Sequence, residues 1–247
     1  MGRIINSPDI VTPRMYKAAE IIASKFNVSE ESVLATMTEH LLIYTAELKN
    51  DKNGVVFNLL SGQKALGDDI PLNSQDGFVV SSWGRAVRRV TLATTGEYTS
   101  NSPYFPTPEP QFFNGLIGGV KEYESLIPYF FGQMELKEKN GDPFFSEYSG
   151  LLTFKQLLGN YTPAGATNEE YPELDMDRTI RNLYPMQMLL GSQNYTATVN
   201  FSNGVYSQCA GKVDSAGAAR TTQNFAVLFL RGFKVPGLAS AKLIADK

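Results

Sequence analysis

The side chains best suited to catalysis are scarce in this sequence. It contains one histidine, His40, and one cysteine, Cys209. A zinc site needs several histidine or cysteine ligands, and a catalytic triad needs an imidazole beside an oriented nucleophile and an acidic partner. No second histidine or nearby cysteine completes such a set, so we predict a structural role for His40. A lone cysteine cannot form an intramolecular disulfide, and it suits folding in a reducing compartment.

Carboxylates provide the remaining route to chemistry. Five of them lie close together, namely Glu169, Glu170, Glu173, Asp175 and Asp177. Two carboxylates that converge across a cleft can hydrolyse a glycosidic bond, and acidic clusters can bind cations. The stretch lacks the glycine and terminal glutamate of a twelve-residue calcium loop, so we interpret it as an exposed acidic loop. The glycine-rich run 115–119 lacks the lysine of a phosphate-binding loop, and we predict neither a metal site nor a cofactor.

Arginines form the most suggestive cluster of charge, at Arg85, Arg88 and Arg89. Successive residues of a strand point to opposite faces, so Arg85 and Arg89 should share one face and Arg88 should take the other. Guanidinium groups bind phosphates, and they also pair with carboxylates of a neighbouring subunit. The cluster is therefore a candidate contact for nucleic acid or for another subunit. An ordinary solvated strand edge is the third interpretation.

Aromatic residues are concentrated around the proline-rich segment that follows this cluster, from Thr99 to Pro110. At protein interfaces, aromatic side chains supply a large contact area for little loss of conformational entropy. We therefore predict that some of them pack in the core and others at an interface. The candidates for an interface are Trp83, Tyr104, Phe105, Phe112 and Phe113.

The overall composition argues against several classes of protein. Hydrophobic residues make up 43% of the chain, which is enough for a folded core, whereas charged residues make up only 19%. The net charge of -3 argues against a general nucleic-acid-binding domain, because such domains are usually basic. The first residues lack the apolar core of a signal peptide, and no apolar run is long enough to span a bilayer. We expect synthesis in the cytoplasm, without a transmembrane segment.

Helical patterns dominate the beginning of the chain. Pro13 stands near the start of a helix-forming stretch from Met15 to Phe26. Ser29 then has the character of an N-cap, and glutamates follow it where the helix dipole favours acids. A stripe of apolar residues at spacings of three and four predicts that this second helix continues through Val33, Met37, Leu41, Tyr44 and Leu48. We expect residues 1–53 to form a helical N-terminal arm.

From residue 54 onward the pattern becomes that of β-strands. Residues 195–201 alternate between apolar and polar side chains, and Met134 and Leu136 alternate with polar neighbours before a hairpin signal at Asn140. The run from Phe225 to Leu230 is apolar on both faces, which is typical of a central strand. Residues 54–247 have room for eight strands of about six residues with long loops. We predict a mainly β chain in which residues 54–247 form one antiparallel β-sandwich, a jelly roll.

Three segments resemble a known family. They are Leu59-Leu60-Ser61-Gly62-Gln63-Lys64-Ala65-Leu66, Asp76-Gly77-Phe78-Val79-Val80 and Phe225-Ala226-Val227-Leu228-Phe229-Leu230-Arg231-Gly232-Phe233. These segments resemble jelly-roll coat proteins of tailless icosahedral bacteriophages. The resemblance implies a shell-forming subunit built on a jelly roll. The helical arm departs from the family's pattern, and its candidate partners are a neighbouring subunit, an internal membrane or the genome.

These features favour a structural protein over an enzyme. We expect a capsid subunit of a virion, made in the host cytoplasm, that self-assembles into an icosahedral shell without catalysis. Its expected partners are copies of itself and other virion proteins, with the genome or an internal membrane on the inner face and no small-molecule substrate. The alternative is a trimeric fibre or decoration protein, or a sandwich that binds a carbohydrate or receptor. A hydrolase that uses the acidic loop is the third interpretation.

Overall fold

The computed structural model describes residues 12–49, 52–59, 64–92, 98–99, 103–106, 112–113, 116–117, 120–138, 141, 143–147, 180–201 and 222–238. Within these residues the chain is mainly β, with two antiparallel sheets, a short two-stranded ribbon and three helices. None of these three helices has the length and apolar character needed to cross a membrane.

The first two helices begin where the sequence predicts. Helix α1 (Pro13–Phe26) starts at Thr12, whose hydroxyl accepts a hydrogen bond from the Met15 amide, and ends at Asn27 in the left-handed conformation with φ of 52°. Helix α2 (Glu30–Thr36) starts at Ser29, which accepts from the Ser32 amide. The predicted cap at Ser29 and the predicted first helix are therefore confirmed. Both capping side chains bind amides of the first helical turn, which have no partner within the helix.

The predicted continuation of the second helix to Leu48 is wrong. The chain leaves α2 at Thr36 and forms strand β1 (Thr38–Glu47), which pairs along its whole length with β11 (Thr222–Val235). Leu42 is buried in the main core, whereas Ile43 is buried in a separate cluster. A strand covered on both faces lacks the polar-apolar alternation of a half-buried strand, and its apolar residues happened to match a helical period. His40, predicted on a helix, consequently lies in this strand.

The first sheet continues from β1 and β11 to β3 (Gly77–Leu92), whose other edge pairs with β9 (Ile180–Leu190) and with β4 (Tyr98–Thr99). β11 is a central strand, as its doubly apolar sequence predicts. The register shifts around Ser81, against both neighbouring strands. This bulge changes the alternation, so that Phe78 before it and Trp83 after it both contribute to the main core.

The second sheet has the order β2 (Gly54–Leu59), β10 (Tyr195–Asn200), β7 (Gln133–Glu138) and β8 (Pro143–Glu147). The predicted strand at 195–201 is confirmed by β10, where Ala197 and Val199 are fully buried and the polar residues between them are not. β7 and β8 pair as the predicted hairpin. The ribbon of β5 (Leu116–Ile117) and β6 (Val120–Lys121) precedes helix α3 (Glu122–Phe131).

Two apolar clusters hold these elements together. The main core draws side chains from both sheets and from α3, including Leu42 of β1, Phe57 of β2 and Tyr129 of α3. A second cluster joins α1 and α2 to the outer face of the first sheet, where Ile22 of α1 is packed with Phe233 of β11 and neighbouring apolar residues. The apolar stripes of α1 and α2 are thus buried against the sheet.

The pairing of the eight strands with five or more residues follows a simple rule. In chain order, the first pairs with the eighth, the second with the seventh, the third with the sixth and the fourth with the fifth. Because every pair is antiparallel, the connections 93–132, 148–179 and 201–221 leave the strands at one end. The short connections 139–142 and 191–194 lie at the opposite end.

Candidate functional site

The three arginines singled out by the sequence lie in the second half of β3, and their side chains take both faces of the strand. Arg85 and Arg89 contact α3 on the side of the main core. Arg88 contacts Asp68 and Tyr104, and it does so on the other face. The predicted division of the three side chains between the two faces is confirmed.

Arg85 caps the C-terminal end of α3. Its Nη1 donates to the backbone carbonyls of Tyr129, Phe130 and Gly132 at 2.8, 3.2 and 3.0 Å. The last carbonyls of a helix lack an intrahelical donor and carry the negative end of the helix dipole, so a guanidinium is favourable there. The residue is only 6% exposed, and its guanidinium carbon lies 4.9 Å from the centre of the Trp83 ring. Arg85 therefore fixes where the helix ends.

Arg89 holds the opposite end of the same helix. Its guanidinium forms an ion pair with Glu122, the first residue of α3, which is fully buried. The Asn224 side chain of β11 donates to the same carboxylate at 2.8 Å. Arg89 also donates to the Phe112 carbonyl at 2.9 Å, and its guanidinium carbon lies 4.8 Å from the centre of the Phe113 ring. A carboxylate in the first helical turn is favoured by the dipole, so both helix ends have complementary charges.

Arg88 takes part in a three-membered contact on the outer face. It forms an ion pair with Asp68, and its Nη1 donates to the Tyr104 hydroxyl at 3.3 Å. That hydroxyl in turn donates to the Asp68 carboxylate at 3.1 Å. Burial by itself would raise the pKa of Asp68, but the hydrogen bond and the positive charge of Arg88 lower it below the usual value. The contact connects the β2–β3 connection, β3 and residues 103–106.

Together the three arginines attach one long connection to β3. Residues 93–132 join β3 to β7, and the contacts described above fall at several points along it, from Tyr104 to Gly132. All three guanidinium groups are bonded within the chain, Arg85 and Arg88 are buried and Arg89 is only 11% exposed, so they offer little surface to a phosphate. Their placement favours a positioning task. Direct contact with nucleic acid or with another subunit stays a prediction without support from this geometry.

The five aromatic residues predicted as interface candidates do not form one patch. Trp83 and Phe113 are buried in the main core, at 2% and 0% exposure. Phe113 also touches Phe105 and Phe112, and the three ring centroids are between 4.3 and 5.2 Å apart. Tyr104 packs separately, against β11. Phe112 is the one exposed member of the five, so it is the best candidate for contact outside the chain.

The other predicted chemical groups do not converge. Burial, followed by the positive charge of Lys234, lowers the pKa of His40, and Asp76 opposes this change. The lowered pKa favours the neutral form of the His40 imidazole. The described residues contain no group of three or more potential metal ligands among His, Cys, Asp and Glu. Cys209 and the acidic cluster at 169–177 lie outside the described residues.

Sequence reasoning missed the acids that organise this region. Asp69 is 2% exposed, and its carboxylate accepts from the Thr45 hydroxyl at 2.9 Å and from the amides of Ala65 and Leu66 at 2.8 and 3.1 Å. Glu122 is fully buried beside Arg89. The sequence contains a local signal for each acid. Asp69 follows Gly67 in a stretch that suits a turn, and Glu122 stands where an acid favours the start of a helix. Their arginine and threonine partners are distant in sequence, and no local pattern indicates them.

Two open depressions lie along the edge of the first sheet. One, of about 390 Å³, separates the end of β1 from β2 and is lined by polar groups that include Glu47, Lys49, Lys52 and Asn58. The other, of about 500 Å³, lies beside residues 69–74. Thr45 and Asp69 both line the first depression, and the hydroxyl of Thr45 is bonded to the Asp69 carboxylate. Both residues are buried and Asp69 also accepts from two backbone amides, which is typical of a structural contact and not of an activated nucleophile.

No family model matches the chain, and comparisons with curated proteins and with solved structures find no significant similarity.

Proposed function

We propose that the chain is a jelly-roll β-sandwich that serves as a capsid subunit, self-assembling into a virus shell without catalysis. The observation that carries this proposal is the nested pairing of the eight longer strands. Counted in chain order, the first pairs with the eighth, the second with the seventh, the third with the sixth and the fourth with the fifth. Such pairing describes one long antiparallel hairpin. Folding it over puts the first and third pairs in one sheet and the second and fourth in the other. This is the arrangement expected of a jelly roll, a fold common among viral capsid proteins.

The packing between the sheets supports the sandwich. The main core combines inward side chains of the first sheet, such as Leu228 of β11, with those of the second, such as Leu136 of β7 and Val199 of β10. Two sheets that bury their inner faces against each other form the layers of a β-sandwich. Helix α3 contributes to the same core.

A fold by itself does not define a function, so the choice of a coat subunit rests on further features. The whole sequence has a single histidine, which is too few for a metal enzyme built on several histidine ligands. Three long connections begin at the same end of the strands, and one of them is held by three arginines, two of which are buried. A shell subunit must contact several neighbours, and long connections supply surface for such contacts.

The size of the purified protein tests the proposal. Light scattering over a range of concentrations, with negative-stain images of the same samples, should give shells, sheets or capsomer-sized rings. A discrete trimer would favour the fibre, decoration or receptor-binding alternative. A monomer at every concentration, in a sample whose circular dichroism shows a folded β protein, would contradict self-assembly.

A further inference from the structure

The contact among Asp68, Arg88 and Tyr104, which we call the Asp68 latch, has its acid near the surface and its base in the interior. The Asp68 side chain is 39% exposed, whereas that of Arg88 is 5% exposed. Protons can therefore reach the carboxylate while the chain remains folded. The guanidinium cannot become hydrated unless something above it moves. Acid can therefore neutralise one partner of this ion pair while the other stays buried.

Residues 103–106 are the segment that the latch holds. Phe105 and Val87 of β3 exchange two backbone hydrogen bonds, each of 2.8 Å. The Tyr104 ring packs edge-on against Phe229 of β11, with the ring centres 5.3 Å apart. Below it lies an apolar cluster on the outer face of the first sheet, formed by Ile43, Ala86 and Val227. The segment thus lies beside β3 at the sheet edge, the Tyr104 ring covers part of the outer face, and the latch fixes the segment at Tyr104.

The charged and titratable groups around Asp68 are few in the part of the chain that the structure describes. Arg88 approaches from β3, Tyr104 from the covering segment and Asp69 from the same turn. Lys64 lies a few residues earlier and donates to the Gly67 carbonyl. From β1, the Thr45 hydroxyl donates to Asp69, and from β11 the Phe229 ring packs against Tyr104. Neither of these two groups titrates. Asp68 is the carboxylate in direct contact with the buried arginine.

We propose that Asp68, Arg88 and Tyr104 form an acid-operated latch, in which protonation of Asp68 releases residues 103–106 and uncovers the apolar cluster beneath the Tyr104 ring. Protonation of Asp68 removes the charge that pairs with Arg88 and accepts from the Tyr104 hydroxyl, so the hold on Tyr104 weakens and water can reach the guanidinium when the segment moves. The latch operates within a single chain and is independent of the proposed assembly.

The direction of the pH effect follows from the lowered pKa of Asp68 in the folded chain. Its contribution to stability is complete above the unfolded-state pKa of about 3.9 and is lost as the pH falls through the lower folded-state value. The latch is therefore closed at neutral pH, and it opens in acid as the pH falls through the lowered folded-state pKa of Asp68.

Hydrogen exchange of the Val87 and Phe105 amides measures the opening directly. In Asp68→Asn at pH 7, these amides should exchange about tenfold faster or more, because the charge-assisted contact is gone. In the wild type, protection factors corrected for intrinsic exchange should fall by a similar factor in acid, while β10 stays protected. Asp68→Asn should show no such acid step.

Several results would overturn the latch. Full protection of both amides in wild type at every pH down to global acid unfolding would do so, as would wild-type protection of Asp68→Asn at pH 7. If protection of β10 disappears at the same pH as that of Phe105, the transition is global and the local latch is wrong. Should Asp68→Asn fail to fold, the wild-type titration decides alone. Glu39→Gln is the matched control, since it removes an exposed partner of Arg231 and should leave both amides unchanged.

Discussion

Replacing Arg85 by methionine tests whether a buried cation fixes the end of α3. Methionine has a similar length but no charge and no donor, so three backbone carbonyls lose the Nη1 hydrogen bonds of 2.8, 3.2 and 3.0 Å. Each buried acceptor left unsatisfied costs about 1–3 kcal/mol. Loss of a cation at the negative helix end adds about 0.3–1 kcal/mol. Removing the cost of burying a guanidinium offsets part of this. We expect a net loss of about 2–4 kcal/mol in the free energy of unfolding.

Urea denaturation provides the assay. Trp83 is the single tryptophan, and its ring centre lies 4.9 Å from the Arg85 guanidinium carbon, so its fluorescence reports on this site. Circular dichroism should give the same transition. Arg85→Lys should lose less, because lysine keeps the charge but not the planar fork. The control is Lys17→Ala, at an exposed ion pair, which should change stability by less than about 0.5 kcal/mol. An Arg85→Met variant within about 0.5 kcal/mol of the wild type would refute the capping role.

Three further outcomes are expected. Tyr129→Phe should cost about 1 kcal/mol in the same urea assay, since its hydroxyl donates to a β11 carbonyl at 2.7 Å, and an unchanged midpoint would count against that bond. Gly232→Ala should cost more than about 2 kcal/mol, because a Cβ there would overlap a backbone oxygen of β3, whereas Gly67→Ala meets no atom within 4 Å and should be neutral. Removing residues 1–36 should abolish assembly in light scattering, while circular dichroism still shows β structure. Removing residues 1–53 should also unfold the chain, because β1 and its pairing with β11 are lost. Normal assembly of the shorter deletion would show that the helical arm is dispensable.

Strands with one face in the core were predictable from their own residues. In β10 the alternation of Ala197 and Val199 with threonines indicates both the strand and its buried face. β1 was not predictable in the same way, since Leu42 and Ile43 are buried on opposite faces. Its conformation is decided by pairing with β11, at the other end of the sequence. A local pattern contains no information about a partner so distant, and here it matched a helix.

In the candidate site, too, local sequence indicated some features, whereas partners distant in sequence decided others. The positions of Arg85, Arg88 and Arg89 on two faces followed from the alternation of a strand. Their burial did not, because the groups that neutralise them belong to other elements. Glu122 comes from a helix and Asp68 from a turn, and each reaches its arginine only in the folded chain. Charged residues are usually exposed, so sequence reasoning assigned these arginines to a surface.

The pairing of the eight strands is the central claim, and contacts between backbone protons of facing strands, measured by nuclear Overhauser spectroscopy on deuterated protein, test it most directly. The structure predicts one contact set for each of four pairs: Leu42 with Leu230, Phe57 with Ala197, Val79 with Met188, and Leu136 with Phe145. Observation of all four would establish the folded hairpin on which the coat proposal rests. Contacts between β2 and β3 as a sequential hairpin, with those between β3 and β9 missing, would contradict the strand order and remove the basis for a shell subunit.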